Sequence, residues 1–141
     1  MKNLYTAKAN SVGGRAGHVE TDDKRLSFDL TPSNSKTGTN PEQLFACGYA
    51  ACFGSALDAV AKKKGVQTGQ ASVQIDVELN QDDSGGYSLA ATINVSLPNL
   101  DKAQAEQFVN DAHQICPYSK ATRGNIPVTL KVDGAELAKA A

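Results

Sequence analysis

The order of local patterns along the chain predicts an α+β fold, with helices packed on antiparallel sheet. Three observations carry this. The N-terminal third alternates in short segments bounded by turn residues, two apolar stretches have helical caps and stops, and a pair of strands between them shows a clean period of two. At 141 residues the chain suffices for one compact domain with a real core and is short for two, so residues 1–141 read as a single domain.

Leu4 to Ala9 reads as a first strand and Gly13-Gly14-Arg15 as a loop. Val19 to Thr21 and Leu26 to Leu30 flank the turn residues Asp22-Asp23-Lys24, which predicts a hairpin. Pro32 to Thr39 is a polar loop. The first helix starts sharply, with Asn40 as cap, Pro41 at the first helical position and the Glu42 carboxylate in the positive first turn. It extends to about Lys64, where Gly65 stops it. Its middle is apolar all round, which predicts that other elements surround it, and small residues such as Gly48, Ala51, Ser55 and Ala56 permit close approach.

Two strands follow. Ala71, Val73, Ile75, Val77 and Leu79 alternate with polar residues, as do Tyr87, Leu89, Ala91, Ile93, Val95 and Leu97; the turn-rich Asn80 to Gly86 joins them as a hairpin with one wet face. Asp101 with Gln104 three residues later predicts a capping box on the second helix. Its apolar stripe is Ala105, Phe108, Val109, Ala112, Ile115 and Cys116. Pro117 interrupts that helix, Tyr118 to Arg123 gives one further turn ended by Gly124, and Val128 to Val132 is a last strand. The alanine-rich tail after Gly134 is expected to fray.

Fourteen Lys and Arg stand against 15 Asp and Glu, interspersed, for a formal charge of -1. Neither nucleic acid nor an anionic membrane finds an electrostatic footprint there. The one basic run, Lys62-Lys63-Lys64, complements the dipole at a helix end. Met1 to Thr6 turns polar before an export signal could form, and the apolar run from Leu44 to Val60 is interrupted by Gly48, Gly54 and Asp58, so it reads as a buried helix. Three cysteines without an export signal point to a reducing cytoplasm, where thiols are reactive groups.

Cys52 and Cys116 have unlike settings. Cys52 lies inside an apolar helix, and Cys116 at the point where the second helix must end. Such a pair can divide the work, one sulfur meeting a substrate and the other resolving the product. The plain alternative is that Cys52 is a small core residue, because burial alone raises a thiol's pKa and makes it inert. An activated Cys52 needs a cation, for which Arg15, Arg25 and Arg123 are the candidates. Glu42 precedes Cys52 by ten residues on one helix, about 15 Å of rise. Unless the segment around Pro41 folds back, a Glu42 that belongs to the Cys52 site comes from a second subunit related by twofold symmetry; the plain alternative is that it only favours the helix N-terminus. Cys47 points about 140° away from Cys52 around the helix and reads as structural. His113 and Cys116 share a helix face and with Cys52 could ligate a metal, but the spacing is unspecific and no metal is assigned. No nucleotide-binding fingerprint and no Ser/His/Asp grouping is present.

Three runs together, Thr39-Asn40-Pro41-Glu42-Gln43-Leu44-Phe45, Gly48-Tyr49-Ala50-Ala51-Cys52-Phe53 and Cys116-Pro117-Tyr118-Ser119-Lys120-Ala121-Thr122-Arg123-Gly124-Asn125-Ile126, resemble the organic hydroperoxide resistance proteins, the Ohr branch of the Ohr/OsmC family. Leu4-Tyr5-Thr6-Ala7, Gly13-Gly14-Arg15 and Val95-Ser96-Leu97-Pro98 fit the same pattern, so the likeness covers nearly the whole chain in order. Cys47 departs from it, at a position where the family pattern has alanine.

The resemblance implies an OsmC-like, intertwined homodimer whose two central helices are wrapped by sheet from both chains. It implies a thiol peroxidase without metal or organic cofactor. Cys52 would be the peroxidatic cysteine and Cys116 the resolving one, with Arg15 and Glu42 completing the site. The Arg15 guanidinium would stabilise the Cys52 thiolate and the developing alkoxide, and Glu42 would hold that planar fork in place. Phe45, Phe53, Ile115 and Tyr118 are the candidate walls of an apolar pocket for alkyl or lipid hydroperoxides. A dithiol of the lipoyl type is the implied reductant. The alternatives are an OsmC-type sibling with a different peroxide range, and a non-catalytic dimer whose thiols bind a metal or simply pack.

Overall fold

The computed structural model describes residues 1–137. The chain divides into two compact units, Met1–Leu44 and the remainder from Phe45 onward.

The first unit is a three-stranded antiparallel sheet of β1 (Ala9–Val12), β2 (His18–Thr21) and β3 (Ser27–Asp29), in that order. Val12 pairs with His18, and Val19 with Phe28, so the predicted hairpin is present between β2 and β3. The first strand begins where the sequence pattern placed its end. The reason is the tight return from β1 to β2. Gly13 (φ +80°) and Gly14 (φ +57°) take left-handed conformations, and a Cβ on Gly17 would lie 1.7 Å from the Val12 carbonyl oxygen. That return brings residues 9–12, rather than 4–8, into register with β2. Arg15 lies in a short 3₁₀ turn at its apex, Gly14–Ala16. Leu30 alone is buried among the residues of this unit.

Helix α1 (Pro41–Lys64) is one unbroken rod. Asn40 Oδ1 accepts from the Gln43 amide at 2.9 Å, as a cap should, and Gly65 (φ +67°) ends the helix. By length and composition α1 could cross a membrane, a test that core helices of soluble proteins also pass. Here Tyr49, Phe53, Leu57 and Val60 enter a core with Ile93, Val95, Leu97, Phe108, Val109, Leu130 and Val132. Spacings of four and three place those α1 residues on one face. The opposite stripe, Cys47, Ala51, Ser55, Asp58 and Ala59, is exposed in the single chain, so α1 is not surrounded on all sides as its composition predicts.

The second sheet has the order β4 (Ser72–Gln81), β5 (Tyr87–Ser96), β6 (Val128–Val132) and β7 (Ala135–Glu136). β4 and β5 form the predicted hairpin, with Val73 opposite Val95 and Gln81 opposite Tyr87. The sheet is mixed rather than wholly antiparallel, because β5 and β6 run parallel. Between them the chain crosses through α2 (Lys102–Ile115) and α3 (Pro117–Thr122) and re-enters in the same direction. The capping box on α2 is complete: the Gln104 amide donates to Asp101 Oδ1 at 2.8 Å, and the Asp101 amide to Gln104 Oε1 at 3.3 Å. Residues after Gly134 do not simply fray. Left-handed Asp133 (φ +47°) and Gly134 (φ +82°) turn the chain back, Ala135 and Glu136 pair with β6, and Leu137 is buried. The rest of the tail lies outside the described residues.

Candidate functional site

Two pairs of the predicted residues are brought together, one in each unit. In the first, Arg15 reaches Glu42 in the first turn of α1 through two parallel bonds: Nη1 donates to Oε2 at 3.1 Å and Nη2 to Oε1. This fork-to-fork geometry suits a guanidinium and would be lost with lysine. The hydrogen bond from Arg15 holds the Glu42 carboxyl below its usual range, against the opposing cost of its partial burial. Glu42 is mostly covered, at 18% side-chain exposure, whereas the arginine is 58% exposed. The charge pair therefore presents its cation outward.

The second pair is the thiols. Cys52 is half-buried on α1, and Cys116 is fully buried at the corner between α2 and α3. Pro117 shapes that corner. A residue before proline is driven out of the helical region, and Cys116 is extended (φ −62°, ψ 123°) while Pro117 opens α3. The sulfurs of Cys52 and Cys116 stand 3.5 Å apart as free thiols. A disulfide at about 2.05 Å lies one short movement away. Burial pushes the Cys52 thiol above its ordinary pKa of 9.0, the neighbouring Cys116 pushes it further, and a hydrogen bond from the Tyr118 amide pulls the other way. The Phe45-onward unit thus supplies proximity, but the balance within it disfavours the thiolate.

Next to Cys52 lies a shallow depression of about 330 Å³, lined by Cys52, Ser55, Ala56, Ala59, Ile115 and Pro117. Of the predicted walls, Ile115 lines it and is 46% exposed. Phe45 and Tyr118 instead meet in an aromatic cluster with Tyr49, with ring centroids 5.7–6.3 Å apart. Gly48 makes that cluster possible, since a Cβ there would approach Tyr118 Oη to 2.9 Å. Phe53 is wholly inside the core.

The sequence pattern did not point to a buried polar network one turn from the thiols. Tyr49 Oη lies 2.8 Å from Ser119 Oγ and 3.3 Å from Thr122 Oγ1. Ser119 Oγ also lies 2.9 Å from His113 Nδ1. Arg123 Nη2 donates to the His113 carbonyl at 2.6 Å, so this arginine braces the end of α2. Burial, with help from the Arg123 charge, lowers the His113 pKa from its ordinary 6.5. The only trace of the network in the sequence is polar spacing in the Ser119-Lys120-Ala121-Thr122-Arg123 run. Cys47 is exposed on the stripe of α1 away from the core. Among the described residues no group of three or more His, Cys, Asp or Glu side chains could hold a metal.

Comparison with known proteins places the chain in a family. The family profile for OsmC-like protein matches residues 33–131. Organic hydroperoxide resistance protein OhrB of Bacillus subtilis is 49% identical over 134 residues, covering 92% of this chain and 98% of its own. The crystal structure of that OhrB superposes with a TM-score of 0.87 over 92% of this chain and 99% of the other, at 48% identity. An organic hydroperoxide resistance protein OsmC from Legionella pneumophila does so at 0.87 and 43% identity, over 93% and 98% of the two chains. The fold, the order of motifs and these likenesses agree: the chain belongs to the OsmC-like family, in its organic hydroperoxide resistance branch.

Proposed function

We propose that this protein is a cysteine-based thiol peroxidase that reduces organic hydroperoxides, alkyl or lipid, to alcohols. The observation that carries the proposal is the 3.5 Å approach of Cys52 to Cys116 in a chain of this branch. The Cys52 thiolate attacks the outer peroxide oxygen, so an S–O bond forms as the O–O bond breaks. The outer oxygen keeps its proton, leaving Cys52 as a sulfenic acid, and the departing alkoxide takes from solvent the proton that Cys52 gave up on ionising, forming the alcohol. Cys116 sulfur then attacks Cys52 sulfur, the S–O bond breaks, and hydroxide departs with the Cys116 proton as water. A dithiol of the lipoyl type reduces the resulting disulfide and is itself oxidised to a cyclic disulfide.

The thiolate needs a cation, because burial in its own unit raises the Cys52 pKa. In the proposal Arg15 supplies it, oriented by Glu42, and stabilises both the thiolate and the developing alkoxide. Ten residues of α1 separate Glu42 from Cys52, so the pair comes from the second copy in a homodimer. The exposed stripe of α1 is consistent with a central helix awaiting its twin. The whole chain acts as one functional domain in this scheme, in the cytoplasm, with Ile115, Phe45 and Tyr118 near the substrate and no cofactor.

The test is a thiol count on reduced protein before and after one equivalent of tert-butyl hydroperoxide, with peptide mapping and sedimentation of the reduced form. Loss of two thiols, linked Cys52 to Cys116 in a dimer with Cys47 still free, is the expected result. Three untouched thiols would sink the peroxidase proposal.

A further inference from the structure

Resolution has to compete with a second oxidation of Cys52, and the competition depends on where the Cys116 sulfur is held. Two contacts between α1 and the corner formed by α2 and α3 lie on consecutive turns. One is the sulfur pair, Cys52 with Cys116, at 3.5 Å. The other is three residues back on α1 and three residues onward in α3: Tyr49 Oη to Ser119 Oγ, at 2.8 Å. On α1 residues three apart share a face, and Cys116 is the residue that caps α3 three positions before Ser119, so the thiol contact and the polar contact follow one another along the same seam. The depression beside Cys52 is lined by Ser55, Ala56, Ala59, Ile115 and Pro117, and apolar contacts of that kind are non-directional. A hydrogen bond is directional and fails within a fraction of an ångström.

We propose that Tyr49 and Ser119 are positioning residues for the resolving step: their buried hydrogen bond sets the register of α1 against the α2–α3 corner and so holds the Cys116 sulfur at Cys52. The inference rests on the peroxidase reading above. Ser119 is the node of the device, because its fully buried hydroxyl also meets His113 Nδ1 on α2 at 2.9 Å. Thr122 Oγ1 donates to the Ser119 carbonyl at 3.1 Å, and Arg123 closes α3 back onto the His113 carbonyl at 2.6 Å. The corner carrying Cys116 is thus braced from α1, α2 and α3. None of these groups touches the reacting oxygen, so they act through the geometry of the second sulfur.

The experiment compares the full-length wild type with Tyr49→Phe, which removes one hydroxyl and keeps the ring, and with Ser119→Ala. Rapid quench after tert-butyl hydroperoxide reads two rates by mass, the oxidation of Cys52 and the appearance of the Cys52–Cys116 disulfide. A displacement of about 1 Å can cost on the order of a hundredfold in rate. The expected result is a disulfide step slowed by roughly tenfold or more relative to the oxidation step, with more Cys52 sulfinic acid at excess peroxide. A purely structural role would lower the amount of active protein and leave the ratio of the two rates unchanged. An unchanged ratio in both variants overturns the inference while the peroxidase reading stands. A wild type that leaves the peroxide unconsumed overturns the reading itself, and the inference with it.

Discussion

The unit ending at Leu44 buries one residue, Leu30, and leaves Leu4, Tyr5, Val12, Leu26 and Phe28 exposed around its Arg15–Glu42 pair. The unit from Phe45 onward buries a continuous core that includes Cys116 and has Cys52 packed against it. The contrast reflects what each chemistry requires. A guanidinium can work from a thinly packed sheet because its orientation comes from a two-pronged ion pair. Two neutral sulfurs have no such attraction, so packing and neighbouring hydrogen bonds must bring them together. The cost is that the same packing desolvates Cys52 and raises its pKa. The unit with one buried residue exposes six large apolar side chains, Met1 being the sixth, and the homodimer proposed above would give them a surface to cover.

Removing the sulfurs one at a time should have the largest effect. Cys52→Ser should abolish peroxide consumption, whereas Cys116→Ser should allow one turnover per subunit and then accumulate oxidised Cys52, read by mass. Equal behaviour of the two variants would show that the sulfurs do not divide the work as proposed.

Next in size is the charge pair. Arg15→Ala should lower the rate at neutral pH by about 10²–10³, the usual loss when one transition-state donor is removed. It should also move the pH profile of Cys52 alkylation to the alkaline side, since the thiolate loses its cation. Glu42→Gln should do the same to a smaller extent. Its carboxyl is held below 4.5 in the folded protein, so the ion pair persists above that range and fails as pH falls through the folded value. An alkylation profile indifferent to Arg15 would confine the charge pair to its own unit.

A smaller effect separates the network from the thiols. The folded His113 has a lowered pKa, so the unfolded chain binds its proton first as pH falls. Its contribution to stability is complete above about 6.5 and declines below that. The melting temperature should therefore fall as the buffer is taken from neutral to mildly acidic, and His113→Gln should flatten that slope. Smallest of all, Cys47→Ala on the exposed stripe should change stability by no more than about 0.5 kcal/mol. In a homodimer joined along that stripe, the same substitution should show up in the monomer–dimer equilibrium measured by sedimentation.

Features set by residues within a turn of one another were legible in advance. The ends of α1 follow from Asn40, Pro41 and Gly65; the capping box follows from Asp101 and Gln104; the β4–β5 hairpin follows from its period of two. The shift of β1 from Leu4–Ala9 to Ala9–Val12 was not legible, because it depends on how tightly the Gly13–Gly17 return closes onto Val12. The parallel pairing of β5 and β6 was hidden for a related reason, since a strand's pattern carries its inward face but not its direction.

By itself, the sequence determined which residue types are available and where the helices and hairpins start and stop. Caps, proline and glycine stops and side-chain period act over a few residues and need no partner. It also carried the family likeness, through three runs that retain their order. Only the tertiary structure decided that Cys52 and Cys116 stand 3.5 Å apart, that Tyr49 meets Ser119 one turn away, and that Phe53 is core while Ile115 faces the depression. Those facts join residues some 70 positions apart. They depend on helix register and core packing, where energies summed over many contacts select an arrangement that no local signal specifies.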